Sequence, residues 1–291
     1  IKYNVCMVTQ HKLKPSLLRL NNLVGMSYLK DMIVDQLLYY IQDLHEIDPQ
    51  NGDYMHTVIY GPPGSGKTEV AMIIGDIFCK LGMLKSGKFR KVVRSDLVAG
   101  FLGQTALKTR DVIESCLGGI LFIDEAYALG GDKQDSYSKE CIDILCEAMS
   151  AHKNDLMVII AGYESELKSC FFNMNQGLES RFSWRFKTEK YNSDELCEIF
   201  KRKVTQANWC ISNESELNSW FNDKTENFPS FGRDIELLFS KAKIAHGRRI
   251  FTHQKTERGK LIIEDLDKGF EQFLKHKNQT TEETHFNYMY T

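Results

Sequence analysis

The sequence predicts an α/β fold: a parallel sheet with helices on both faces, followed by a small all-helical domain. Three observations carry this. Short apolar runs alternate with amphipathic segments of helical period, one of those runs passes through a glycine-rich turn straight into a helix, and strand signals vanish after about residue 190.

Taken in order, residues 23–45 place Val24, Met26, Leu29, Ile33, Leu37, Leu38, Ile41 and Leu44 at helical spacing, closed by the breaker Asp48-Pro49-Gln50-Asn51-Gly52. Thr57 to Tyr60 reads as a strand, and Lys67 to Leu81 as a helix ended by Gly82. The pair recurs as strand Phe89 to Arg94 with helix Thr105 to Cys116, then as strand Ile120 to Ile123 with helix Ser138 to Met149. Leu156 to Ala161 is a fourth apolar run. Such alternation indicates parallel strands covered on both faces. Ser193 to Thr205, Ser215 to Phe221, Arg233 to His246 and Glu264 to Leu274 then read as helices. The expected organisation is an N-terminal extension over 1–22, an α/β domain over 23–190, a helical domain over 191–274 and a tail over 275–291.

Composition excludes several classes. The 291 residues are 42% hydrophobic and 26% charged, as in ordinary globular proteins, and 37 basic against 39 acidic residues leave a net charge of -2. That balance gives no broad electrostatic footprint for nucleic acid or membrane, although Lys85, Lys88, Arg90 and Lys91 form a local basic cluster. The eight cysteines include no C-x-x-C pair and the eight histidines no H-E-x-x-H, which fits free thiols and no transition-metal centre. No apolar run approaches the ~20 residues that cross a bilayer, so a cytoplasmic protein is expected. The chain opens at Ile1 rather than Met, as a piece of a longer protein would.

The turn Gly61-Pro62-Pro63-Gly64-Ser65-Gly66-Lys67-Thr68 matches G-x-x-x-x-G-K-[ST] between a strand and a helix. Its glycines let successive N–H groups converge into a nest for phosphate oxygens, and the positive end of the following helix adds to the field. Lys67 supplies a point charge for the β- and γ-phosphates, and the Thr68 hydroxyl a ligand for Mg²⁺. The second half of such a site is a carboxylate at another strand end. Gly119-Ile120-Leu121-Phe122-Ile123-Asp124-Glu125 supplies it, with Asp124 for the metal shell and Glu125 to polarise an attacking water. ATP and Mg²⁺ are the cofactors this pattern implies.

These motifs with the trailing helical domain resemble an AAA+ ATPase, a P-loop NTPase with a helical lid. Ser95 to Thr109, Gly118 to Leu129, Ile159-Ile160-Ala161-Gly162-Tyr163 and Gly177-Leu178-Glu179-Ser180-Arg181-Phe182 are similar to the CbxX/CfxQ family, which includes red-type Rubisco activases and sporulation relatives. The resemblance runs from about Leu23 to Leu274. It implies that Phe101-Leu102-Gly103 is a pore loop gripping a substrate peptide, and that Arg181 is an arginine finger acting on a neighbouring subunit's site, with Arg185 as the competitor. Arg233 falls at the second-sensor position and Tyr163 near the first. This chain departs from the family at Glu179, where an arginine is more usual, and at Asp234, directly after Arg233.

The implied machine is a homo-oligomeric, hexameric ring that hydrolyses ATP between subunits and remodels or threads a protein client. Two alternatives stay open: an AAA+ ATPase acting on nucleic acid, of the clamp-loader, helicase or initiator type, and a nucleotide-gated scaffold with little turnover. Near-neutral charge and the apolar Phe101-Leu102 pair favour a protein client over nucleic acid.

Overall fold

The computed structural model describes residues 7–47, 54–101, 103–130, 135–252 and 258–288. The chain divides into two compact units, residues 1–62 with 66–189, and residues 63–65 with 190–291.

The first unit runs α1 (Met7–Asn21), α2 (Ser27–Ile41), β1 (Thr57–Tyr60), α3 (Lys67–Leu81), β2 (Phe89–Val92), α4 (Arg94–Leu97), α5 (Gln104–Glu114), β3 (Ile120–Ile123), α6 (Ser136–Ala151), β4 (Met157–Gly162), α7 (Glu164–Glu166), α8 (Gln176–Arg181) and β5 (Trp184–Lys187). Its sheet has the order β2-β3-β4-β1-β5 with every pair parallel. All residues of β1, β3 and β4 are buried, which is why these strands are unbroken apolar runs.

The edge strands differ from expectation. Trp184-Arg185-Phe186-Lys187 pairs with β1 as β5, yet only Phe186 is fully buried. Four residues with two cations, covered on one side, leave too weak an alternation to register as a strand. At the other edge, β2 stops at Val92 rather than Arg94. The Asp96 carboxylate folds back to accept the Val93 N–H (2.8 Å) and starts the turn α4, while Arg94 binds Asp135 Oδ2 (2.7 Å) and Ser138 Oγ (2.7 Å). The helix expected from residue 23 begins at Ser27, because Gly25 (φ 60°) and Met26 (φ 57°) are both left-handed.

Much of the expected N-terminal extension is ordered structure. Helix α1 packs on α3, the helix that follows the phosphate loop: Ser16 Oγ donates to Asp76 Oδ2 (2.7 Å), Lys80 Nζ bonds both, and Arg19 pairs with Glu69 (2.8 Å). Buried His56, just before β1, links strand β4 and helix α6. Its Nδ1 accepts from Val158 N (3.1 Å), which makes Nε2 the protonated nitrogen, donating to Met149 O (3.3 Å). Burial lowers its pKa to about 4, and Arg181 adds to the fall, so the ring is neutral.

The second unit contains α9 (Ser193–Gln206), β6 (Cys210–Ile211), α10 (Glu214–Asn222), α11 (Phe231–Arg249), β7 (Lys260–Leu261) and α12 (Ile263–Tyr288). Strands were not expected here. The parallel β6–β7 pair is two residues long, below the length at which a periodic signal exists. Helix α12 continues through the boundary expected at residue 274. Leu196, Phe200, Phe221, Phe228, Leu238 and Phe273 form the centre of an aromatic-rich core. At its margin Asp265 is 1% exposed and accepts from Arg249 Nε (2.9 Å) and Ile262 N (3.2 Å), with His246 Nδ1 3.2 Å away. Burial alone would raise the Asp265 pKa, but Arg249 and these hydrogen bonds outweigh it and hold the carboxyl below its ordinary value.

Candidate functional site

The phosphate loop leaves β1 at its carboxyl end, and Gly61 N still donates to Gly162 O of β4 (3.0 Å). Gly64 (φ 71°) and Gly66 (φ 86°) adopt left-handed conformations, and Gly66 caps α3. Lys67, 6% exposed, donates to Gly61 O (2.9 Å) and Pro62 O (3.0 Å). Its ammonium also lies 3.7 Å from Glu125 Oε1. The loop and the tip of β3 therefore converge although β4 separates β1 from β3. Residues 63–65 group with the second unit, where Gly232 N donates to Gly64 O (3.1 Å) and Tyr191 OH to Ser65 O (3.4 Å). A Cβ at Gly64 would stand 2.0 Å from Ser230 O, so that position admits only glycine.

Glu125 is itself left-handed (φ 51°), a conformation that costs a non-glycine residue of order 1 kcal/mol and turns the chain sharply after the strand. Its Oε2 is buried without a hydrogen-bond partner in good geometry. The Tyr127 phenol beside it is raised well above its ordinary pKa, chiefly by its hydrogen-bonding contact with Glu125 and next by burial. Asp124 Oδ2 pairs with Lys91 Nζ (2.6 Å). Asp124 and Glu125 share a surface depression with Arg94, Val98 and Gly100. Among the described residues the Thr68 hydroxyl makes no hydrogen bond. A free hydroxyl and a strand-end carboxylate are the hard oxygens that Mg²⁺ takes beside substrate phosphates, so the residues present fit the ion.

Three of the four cations of the basic cluster read from the sequence have partners within the chain. Lys85 pairs with Asp155 (2.9 Å), Arg90 donates to Ser115 Oγ (2.5 Å) and Lys91 goes to Asp124. The Lys91 partnership was invisible beforehand because it depends on β2 lying beside β3, with Lys91 in register with Phe122, two residues before Asp124.

Both candidate finger arginines are held within the chain, by different groups. Arg185 pairs with Glu179 Oε1 (3.0 Å) and donates to the Glu179 and Phe182 carbonyls. Glu179, the departure from the family pattern, thus neutralises Arg185. Arg181 donates to Ser150 Oγ (2.8 Å) and Gly177 O (2.5 Å) and faces the Tyr54 ring at 6.0 Å. Among the described residues no carboxylate pairs with it. Tyr163 follows β4, its ring 6.3 Å from that of Tyr127.

Phe101 is 72% exposed. Gly100 and Gly103 beside it have open space around them, Gly103 is left-handed (φ 78°), and Leu102 lies outside the described residues. In the second unit Arg233 is exposed at the first turn of α11, and its side chain bonds to none of the described residues. Asp234 instead secures the helix start, accepting from Ser230 N (2.8 Å) and from Lys277 Nζ (3.3 Å).

Comparison with known proteins gives consistent matches. A family model described as "ATPase family associated with various cellular activities (AAA)" matches residues 57–187. The "Putative cfxQ-like protein R730" of Acanthamoeba polyphaga mimivirus is 41% identical over 283 residues, 96% of this chain and 68% of the relative. "Protein CbbX" of Cereibacter sphaeroides is 35% identical over 203 residues, 68% of this chain and 65% of its own length. "Stage V sporulation protein K" of Bacillus subtilis (strain 168) is 40% identical over 162 residues, 56% and 50% of the two chains. The chain thus spans between half and about two thirds of these relatives. Among solved structures, the FIGL-1 AAA domain in complex with ADP superposes with a TM-score of 0.61 at 16% identity, covering 85% of this chain and 82% of that one. A Thermotoga maritima RuvB mutant gives 0.56 at 17%, covering 87% and 71%. At such identities these two speak for the fold alone.

Proposed function

This chain belongs to the CbxX/CfxQ group of AAA ATPases, and from that premise we propose that it hydrolyses ATP at the subunit interfaces of a hexameric ring and uses the work to remodel or thread a protein client. The observation that carries the reading is the convergence of Lys67 and Glu125, 3.7 Å apart, from two strands that are not neighbours.

In this reading the loop N–H groups of Gly61 to Thr68 hold the phosphates, with Pro62, Pro63 and Ser65 shaping the turn, and Lys67 gives up its loop carbonyls to meet the β- and γ-oxygens. Thr68 and Asp124 would hold Mg²⁺, which supplies charge neutralisation at the phosphates. Glu125 keeps one carboxylate oxygen without a bond partner, and that oxygen orients and polarises the attacking water. Catalysis is by position and electrostatics, since phosphoryl transfer needs little covalent help from the protein.

Arg181 acts in trans. Its charge is not neutralised by any described carboxylate, whereas Arg185 is committed to Glu179, and an arginine finger must bring net charge to a transition state. Arg233 reports the nucleotide to the second unit, and its exposed, unbonded side chain is consistent with that role. Phe101, exposed between open glycines on a segment that shares a depression with Asp124 and Glu125, grips the client.

A trap tests the reading. Glu125→Gln with ATP is expected to assemble and retain a protein client that Phe101→Ala, introduced in addition, releases. ATPase activity stimulated strongly by DNA or RNA and by no protein would point to the nucleic-acid alternative. Assembly with no turnover in the wild type would point to the scaffold.

A further inference from the structure

Lys91 makes a contact at the tip of β3 that the fold explains and the chemistry proposed above does not use. Strand β2 lies parallel to β3 with Lys91 opposite Phe122, and side chains at matched positions of parallel strands point to one face. The pairing outlasts β3 itself: Asp124 N donates to Val92 O (3.0 Å), so the alternation reaches Asp124 and puts it on the Lys91 face, two residues beyond Phe122. Phe89 stacks on Phe122 with ring centroids 5.5 Å apart, and the Lys91 ammonium lies 5.9 Å from the Phe122 ring. The lysine stem runs beside this aromatic surface, and Nζ ends 2.6 Å from Asp124 Oδ2.

The two partners are unequally exposed, and that decides what the contact can do. The Asp124 side chain is 18% exposed, so little water competes for its charge, whereas the Lys91 side chain is 48% exposed and leaves for solvent at small cost. Lys91 is a displaceable counter-ion on a carboxylate. Asp124 is the carboxylate proposed above for the Mg²⁺ shell, and an ammonium and a divalent cation on one carboxylate repel each other. Lys67 stands 3.7 Å from Glu125, so each of the two acids at the tip of β3 has a lysine beside it. The two lysines differ in what else they serve: Lys67 belongs to the phosphate loop, while Lys91 belongs to the edge strand β2 and bears on the site through Asp124.

We propose that Lys91 competes with Mg²⁺ for Asp124 and so sets how readily the chain releases Mg²⁺ and ADP. ATP offers the ion both β- and γ-oxygens, which hold it while Lys91 is displaced into solvent. ADP offers fewer, so Lys91 regains Asp124 and loosens the product. Lys91 is a positioning residue, since it acts on the metal and the nucleotide through Asp124. The inference rests on the ATPase reading above, and within it on Asp124 as a metal ligand.

The test uses the full chain and reads nucleotide binding rather than turnover. Parent, Lys91→Met and Lys91→Arg are titrated with Mg²⁺ in the presence of a fluorescent ADP analogue, and release of the analogue is timed by stopped flow. Melting temperature checks folding, which a substitution at a half-exposed lysine barely affects. Lys91→Met keeps an unbranched stem and loses the charge. It is expected to reach half-saturation at about fivefold less Mg²⁺ and to release the analogue about fivefold more slowly, the size of effect a partly exposed charge exerts. Lys91→Arg keeps the charge and stays within about twofold of the parent. In EDTA the affinity of Lys91→Met for the analogue does not rise, because the competition is with the metal. The proposal is overturned if Lys91→Met needs as much Mg²⁺ as the parent or more, if its affinity rises equally in EDTA, or if Lys91→Arg shifts as far as Lys91→Met. Failure of the underlying reading looks different: the parent itself then binds no nucleotide, or binds it with no dependence on Mg²⁺.

Discussion

Lys67 Nζ stands 3.7 Å from Glu125 Oε1, so the phosphate loop and the tip of β3 share one charge contact across the width of the intervening strand β4. Lys67 is nearly buried and its ammonium is satisfied by Gly61 O, Pro62 O and this carboxylate. On the proposed reading, replacing it by alanine removes the principal cation for the phosphates, and it leaves Glu125 without its cationic neighbour. Lys67→Ala is expected to lower ATP affinity and turnover by about 100-fold or more, measured by nucleotide titration and steady-state phosphate release.

The two arginines near β5 separate by what holds them. Arg181→Ala is expected to reduce turnover by roughly 10³-fold or more while ATP affinity changes little, because a finger acts on the transition state. Arg185→Ala removes a surface ion pair to Glu179 and costs turnover less than about tenfold. Mixing Arg181→Ala with Lys67→Ala subunits checks the assignment: partial recovery of activity is the signature of action in trans.

His56 makes stability depend on pH in a defined direction. Its folded pKa, about 4, lies below the unfolded value of 6.5, so between these values the unfolded chain binds the extra proton. Stability therefore falls as pH drops from about 6.5 toward 4, by roughly 3 kcal/mol in total from this group. Urea unfolding from pH 7 to pH 4 measures it. His56→Gln, which keeps an acceptor and a donor on the side chain, is expected to flatten that slope.

Asp265 gives the acid limb. Its carboxyl is held below the ordinary value, so its contribution is present above the unfolded pKa of about 3.9 and is lost as pH falls through the folded pKa. Arg249→Leu strands a carboxylate that is 1% exposed and is expected to cost about 3 kcal/mol at neutral pH, seen as a lower melting temperature and urea midpoint.

What the sequence made legible follows from how local each signal is. The strands β1, β3 and β4 are buried on both faces and so appear as apolar runs, and the phosphate loop is a contiguous motif with a backbone reason for each glycine. Strand β5 was not legible, because Trp184 to Lys187 becomes a strand only by pairing with β1. Nor was α1, whose polar contacts Ser16, Asp76 and Lys80 are set by docking on α3 rather than by its own periodicity. At the site, motif spacing pointed to Lys67, Asp124 and Glu125. The partnerships of Lys91 with Asp124 and of Glu179 with Arg185 belong to strand order and to a turn, and neither has a sequence signature.

Phe101 distinguishes work from hydrolysis. Exposed and free of the core, it is expected to tolerate alanine with little loss of stability or basal ATPase activity, while the proposed client remodelling is lost. Circular dichroism melting, phosphate release and unfolding of a captured client measure the three separately.

The most direct measurement pairs ATP hydrolysis with nucleotide retention in the wild type and in Glu125→Gln, each with ATP and Mg²⁺ at concentrations that permit assembly. The account predicts turnover by the wild type, and in the variant a rate lower by about 10² to 10⁴-fold with ATP still bound and unhydrolysed. Equal turnover by the two proteins, or loss of ATP binding in the variant, would contradict the assignment of Glu125 as the residue that activates water beside Lys67.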